Sequence, residues 1–310
     1  MHLRKLLIIP FLFLTVCIGA IEDDYLDLSD LSDENIVPAA AEKETPFSLT
    51  IRLDAIQKTE IKQGFYKKDE VRFAEGEAEV GMMFYYNKDL KEGAQAILSY
   101  TSTLLDWSSN PWFEQERFNT LTFSLAGFSE RLHRWFWRGQ LDINIDANNC
   151  NIGDYGFYNL LLWGRYDYSR NIGVHLGFIA QTGMRMDRVY PIIGFDWKIS
   201  PKWKLNLVFP VNMSLEYALN PRWTLALAGR TFDFRHRVGK HQCHSRWLVR
   251  YENVGAELAI NYDDSHINAN IHVGYALGGK VTISTPTNNH PRHYRLESAP
   301  YAGAEVVAKF

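Results

Sequence analysis

Residues 189–234 read VYPIIGFDWKISPKWKLNLVFPVNMSLEYALNPRWTLALAGRTFDF. Along most of this stretch apolar and polar side chains alternate. Trp203, Leu205, Leu207 and Phe209 take one parity against Lys202, Lys204, Asn206 and Val208. Met213, Leu215, Tyr217 and Leu219 oppose Asn212, Ser214, Glu216 and Ala218, and Trp223, Leu225 and Leu227 oppose Thr224, Ala226 and Ala228. A period of two puts each set on its own face of a strand. The breaks hold Pro, Asn and Ser, so the strands are antiparallel and joined by tight turns. Ser200-Pro201-Lys202-Trp203 returns twenty residues later as Asn220-Pro221-Arg222-Trp223, a short internal repeat.

The same pattern runs outward in both directions. In 117–128, Leu121, Phe123 and Leu125 alternate with Thr120, Thr122 and Ser124. In 134–146, Leu141, Ile143 and Ile145 alternate with Gln140, Asp142, Asn144 and Asp146. Further strands are predicted over 48–58, 70–86, 94–107, 156–168, 172–183, 189–199, 245–262, 267–284 and 299–310. With the three in the opening stretch this makes fourteen, within a range of twelve to sixteen. In 245–262 the apolar parity changes from Trp247, Val249 and Tyr251 to Val254, Ala256, Leu258, Ile260 and Tyr262. One extra residue produces such a change, so a β-bulge is expected near Glu252-Asn253.

Nearly every strand has one apolar face, and that face needs a cover. A soluble sandwich would turn the faces toward each other. Here charges stand opposite them on strand after strand, which fits a closed barrel with lipid outside and a polar lumen inside. The predicted fold is therefore all-β: an antiparallel transmembrane β-barrel over 47–310. Short turns gather on one side of the strand count and longer connections on the other, as in outer-membrane barrels, with the short hairpin at Phe209–Asn212 on the long-loop side as the exception. Trp135, Trp137, Trp197, Trp203, Trp223 and Trp247 fall near strand ends, where an interfacial girdle forms. The chain has 310 residues, 33 basic against 36 acidic and a net charge of -3, which argues against a nucleic-acid binder.

Two segments precede the barrel. Residues 1–20 place Arg4 and Lys5 before a short apolar run ending in Gly19-Ala20, the layout of a cleaved secretory signal peptide. Residues 21–46 carry nine Asp or Glu and one Lys, and read as a flexible acidic leader in the periplasm. An exported chain meets an oxidising compartment, so a disulfide between Cys150 and Cys243 is possible.

The signal segment, the alternating strands and the end of the chain together resemble the outer-membrane β-barrel proteins of Gram-negative bacteria. Ala302, Ala304, Val306, Ala308 and Phe310 are similar to the C-terminal pattern that the barrel-assembly machinery reads in that class. The resemblance implies outer-membrane lipid and that machinery as partners. The two Pro-Trp hairpins resemble those of uncharacterised barrel families, which brings no activity with it. No long inward-folding constriction loop of the kind in large trimeric porins is visible in the sequence.

The expected lumen set comes from the polar faces. It holds Asp142, Asn144 and Asp146, then Lys204, Glu216 and Arg230. Arg246, Arg250 and Glu257 follow, then His272, Glu305 and Lys309. Such mixed-sign walls suit a channel or transporter for small solutes. A closed interior of paired charges is the alternative, with the barrel then acting through its loops as a surface antigen or adhesin. An enzyme would need a rim site such as His236, His241, Asp233, Ser245 and Glu297, which no motif supports. His236, His241, Cys243 and His244, with His290 and His293, match no standard metal spacing. No catalytic residue, cofactor or metal is therefore expected.

Overall fold

The computed structural model describes residues 46–310 apart from 63–65 and 150. The signal and leader segments and Cys150 lie outside the described residues. The barrel wall is made of fourteen antiparallel strands. In chain order they are β1 (Phe47–Glu60), β2 (Glu70–Asn87), β3 (Glu92–Trp107), β4 (Arg117–Ser129), β5 (Trp135–Asp146) and, after a four-residue helix α1 (Ile152–Tyr155), β6 (Phe157–Ser169). Then come β7 (Ile172–Gly183), β8 (Arg188–Lys198), β9 (Trp203–Phe209), β10 (Asn212–Asn220), β11 (Trp223–Arg237), β12 (Leu248–Asp263) and β13 (Ile267–Ala276). Two short strands, β14 (Lys280–Ser284) and β15 (Arg292–Arg295), precede the last wall strand, β16 (Ala299–Lys309).

Each wall strand from β1 to β13 pairs with its chain neighbours, and β16 closes the ring by pairing with β13 and β1. Phe310 N–H donates to the Phe47 carbonyl at 2.9 Å, which fastens the two chain ends at the seam. Both ends therefore lie at one mouth, called here the near end. The β6–β7, β8–β9, β10–β11 and β12–β13 turns share it. Side-chain oxygens of Ser169, Ser200 and Asn220 accept backbone N–H bonds within the first three of these turns. That is the local chemistry that lets Ser and Asn initiate a tight turn.

Alternation sets the facing. Leu98 and Tyr100 of β3 are exposed while Ile97 and Ser99 beside them are buried. Leu53 of β1 is 59% exposed and Asp54 only 5%. The barrel thus carries an apolar skin, and its polar residues turn inward. Gly303 of β16 has a particular role in this packing. Asp54 and His272 are its direct partners on either side, and they bridge over it with a 2.7 Å bond between His272 Nε2 and Asp54 Oδ1. A Cβ on Gly303 would occupy the space of both side chains. Gly173 of β7 does the same for Asp196 and Arg165, which meet above it at 2.8 Å.

Toward the far end the inward face changes character. On β1 it passes from Arg52 and Asp54 to Ile56, on β2 from Glu77 and Glu75 to Phe73 and Val71, and on β3 from Thr103 to Leu105 and Trp107. These apolar side chains fill the far half of the lumen, with Phe118, Phe232, Phe234, Val249, Tyr251 and Tyr301. The rings meet across the barrel: Phe73 of β2 stacks on Tyr251 of β12 at 4.3 Å, and Phe118 of β4 lies 5.1 Å from Phe234 of β11.

The contacts across the barrel come from an inserted hairpin. β10 pairs with β11 only as far as Ser214↔Ala228, because the β9–β10 hairpin is short. Beyond Ala228, β11 has lost its wall neighbour and continues paired with β12 alone. From Phe232 to Arg237 and from Leu248 to Asn253 the two strands are buried or nearly so on both faces. One face meets the apolar core; the other meets β6, where the Arg235 guanidinium lies 4.6 Å from the centre of the Phe157 ring. The hairpin therefore folds into the lumen. The sequence shows no long inward-folding constriction loop, and the intruding element is instead made of regular strand, which alternation does not distinguish from wall.

Two expectations are corrected. The β11–β12 register runs unbroken from Trp223↔Tyr262 to Arg237↔Leu248, so no bulge sits at Glu252-Asn253. Val249 and Tyr251 stay on the inward parity, and they are apolar because that part of the inside is a core. The irregularity is on the neighbouring strand. Between Gly255↔Ala276 and Glu252↔Lys280, β12 advances three residues while its partner advances four. Leu277–Gly279 take up the difference, and they split the single strand expected over 267–284 into β13 and β14.

Candidate functional site: the lumen cavity and its closing hairpin

The near half of the lumen holds a cavity of about 1360 Å³. It reaches the near mouth at Phe47, Lys88, Lys91, Arg222 and Asp264. Its wall carries Arg52, Glu75, Glu77 and Glu79, then Ser99, Thr101, Thr103, Thr120, Thr122 and Ser124. It ends against Asn144, Phe157, Asn159 and Gln181, and against Asp233, Phe234 and Arg235 of the inserted hairpin. Its lining includes no residue of the far-side connections 108–116, 147–156 or 238–247. Those connections pack on one another above the core: His244 and Gln242 bond to the 112–114 backbone, and Trp112 stacks on Trp247 at 5.5 Å. Burial in this lid raises the Tyr155 phenol above its ordinary value.

Charges in the lumen occur in paired groups. Arg52 reaches Glu77 at 3.1 Å and Glu75 at 3.4 Å. Arg230 donates to Glu257 at 2.7 Å and lies 3.7 Å from Asp54, and the Tyr301 hydroxyl donates to Glu257 at 2.9 Å. On the inserted hairpin, Arg250 lies 3.5 Å from Asp233 and pairs with Glu252, which Lys280 reaches at 3.4 Å. Buried charges of this kind persist only with such partners.

Residues 155–305 match the model of a family described as a domain of unknown function, DUF6268. The chain is also similar to an uncharacterised protein of Chlamydia pneumoniae, 27% identical over 74% of this chain and 74% of that protein. An uncharacterised protein of Chlamydia trachomatis is 25% identical over 61% of this chain and 60% of that one. Among solved structures, the COG4313 outer membrane channel from Pseudomonas putida F1 is similar with TM-score 0.47 and 9% identity, over 88% of this chain and 100% of that one. The translocator domain of the autotransporter NalP from Neisseria meningitidis gives TM-score 0.38 and 12% identity, over 91% of this chain and 93% of that one.

The lumen residues expected from sequence fall in several places. Asp142, Asn144, Glu305 and Lys309 line the cavity. Lys204 and Glu216 face each other at 3.9 Å. Arg230, Glu257 and His272 belong to the buried group around Asp54. Asp146 is buried at the far end of β5, 4.0 Å from His236, and caps the loop after the strand, accepting N–H bonds from Asn148 and Asn149. Arg250 is buried on the hairpin. Arg246 is a correction: the backbone turns at it (φ 65), before β12 begins, and its exposed guanidinium lies 3.5 Å from Asp154 in the far-side loops. Trp247 is another, since it packs on the lid and stands apart from the near-end tryptophans.

The remaining candidates separate. His236 is buried against Phe118 and Phe234, while Asp233 points from the opposite face of the same strand. Glu297 lies 3.7 Å from Lys62. Among the described residues no group of three His, Cys, Asp or Glu could hold a metal ion. Cys243 is exposed on the β11–β12 loop, and the possible disulfide with Cys150 falls outside the described residues. Phe310 is exposed at the near mouth. Sequence reading missed Arg235, Arg138, Glu77 and Asn159, and the inward parity of their strands would have found the last three.

Proposed function

We propose that this barrel lies in the outer membrane of a Gram-negative cell and acts as a channel for small solutes, with its near mouth in the periplasm and the β11–β12 hairpin as its gate. The observation that carries the reading is the cavity of about 1360 Å³, polar-walled, inside a barrel with an apolar skin. Lipid outside and water inside is the division that such a wall serves. The cavity is roomy for a small molecule, and passage beyond it requires the hairpin to move. Exposed Phe310 at the seam supports recognition by the barrel-assembly machinery.

Planar-bilayer conductance of the refolded protein tests this. The wild type should show rare, short openings, and the Phe118→Ala/Phe234→Ala double variant should open more often, because it removes the rings that hold the hairpin across the lumen. Silence from both proteins, with β-structure intact, would overturn the channel reading in favour of a closed barrel acting through its far-side loops.

A further inference from the structure

The inserted hairpin carries a guanidinium that forms no ion pair among the described residues. Arg52, Arg230 and Arg250 each have a carboxylate partner, and Arg237 donates to the carbonyls of Arg246 and Pro286. Arg235 is as buried as these, at 9% exposure, yet among the described residues its Nη1 has no hydrogen-bond partner and no carboxylate forms an ion pair with it. Its guanidinium lies over the face of Phe157, and its cross-strand partner is another arginine, Arg250. A ring face offsets only part of what a buried cation loses in leaving water. Arg235 also lines the closed end of the cavity, so whatever fills that end meets it.

The surroundings favour a negative guest. Arg250, the cross-strand partner of Arg235, and Arg188 share its electrostatic neighbourhood with Asp233, so two further cations stand near it beside that carboxylate. Asp233 is shared, since Arg250 lies 3.5 Å from it. At the same end of the cavity, Asn159 has a buried amide oxygen with no partner, and turning that amide would present its N–H groups instead. One planar guanidinium matches one carboxylate in a two-bond fork. A dianion would meet Asp233 and find one free arginine where it needs several donors. We infer that the closed end of the cavity is a binding site for the carboxylate of a small organic monoanion, with Arg235 as its principal donor and Asn159 beside it. This deepens the channel reading by naming a solute class, and it rests on that reading for access through the near mouth.

Isothermal titration of the full chain, folded in lipid nanodiscs, with sodium benzoate and with the uncharged isostere benzamide, tests the site without requiring conduction. Benzoate should bind at least tenfold tighter. Arg235→Gln should abolish that preference, and Arg235→Lys, which keeps the charge but not the fork, should keep part of it. Retention of that part by the lysine variant would exclude a folding defect as the cause of the loss. Equal affinities for the two probes, binding of neither, or an undiminished preference in Arg235→Gln would each overturn the inference. A protein that conducts but shows no preference would sink the site and leave the channel. One that prefers benzoate but never conducts would do the reverse.

Discussion

Leu258 and Tyr251 stand on the same strand, seven residues apart, in opposite surroundings. Leu258 is 64% exposed on the barrel's skin. Tyr251, on the inserted hairpin, is fully buried and stacks on Phe73 of β2. In the near half of β12, burial alternates with every residue; in its far half it is continuous from Leu248 to Asn253. Alternating burial marks a strand that is wall, with lipid on one side and lumen on the other. Continuous burial marks a strand with protein on both sides. One strand can thus be wall at one end and plug at the other, and what differs is whether a neighbour beyond β11 is present to hold it in the ring.

The comparison breaks most severely at the glycine that lets charges meet. Gly303→Val places a branched side chain where Asp54 and His272 bridge. It should separate a buried pair and cost about 3–5 kcal/mol. Urea titration of the protein in lipid vesicles measures it, and a loss below about 1 kcal/mol would mean that the bridge is not held over the glycine. Next is the far half of β12. Tyr251→Ala should cost about 3–5 kcal/mol, as for other fully buried aromatics. Leu258→Ala, which only trades one apolar lipid-facing group for a smaller one, should cost about 1 kcal/mol or less. Equal costs at the two positions would erase the distinction between wall and plug.

The wall was legible in the sequence and the plug was not, for a physical reason. Alternation reports that a strand has two different faces. It does so well for Leu205, Leu207, Leu225 and Leu227, whose opposite faces carry Asn206, Ala226 and their like. It cannot report which strands stay in the ring. The decisive fact is the length of β10, whose nine residues leave β11 without a wall neighbour on that side beyond Ala228. The parity change at Val249, Tyr251 and Val254 fits an inserted residue. The same letters also fit a change in what the inside requires, and the register shows that this is the case. The apolar inward residues Ile56, Phe73, Leu105 and Phe118 carried the signal, since all lie toward the same end of their strands. Arg235 was invisible as a site residue because its parity is that of the skin.

The skin itself is tested at Ile143, on the outward face of β5 opposite Phe123 of β4. Ile143→Arg should lower stability by about 2–4 kcal/mol if that face meets mid-bilayer lipid. Refolding in lipid with unchanged urea resistance would place Ile143 away from hydrocarbon.

The smallest effect is expected where the wall meets water. At the near mouth Arg222 of the β10–β11 turn lies 3.5 Å from Asp264 of the β12–β13 turn, and the guanidinium is 64% exposed. The distance resembles those of the pairs inside, but the surroundings differ. Water screens the attraction and two flexible side chains lose freedom in making it, so Arg222→Ala should cost about 0–1 kcal/mol. The turn has its own support in the Asn220 side chain, which accepts N–H bonds from Arg222 and Trp223 whatever the residue at 222 carries. Urea titration at low and high salt separates the two contributions. A loss that vanishes in salt belongs to the ion pair, whereas a loss above about 2 kcal/mol that persists in salt would show the near mouth to be packed like the far one, and the contrast between the two ends of the barrel would fail there.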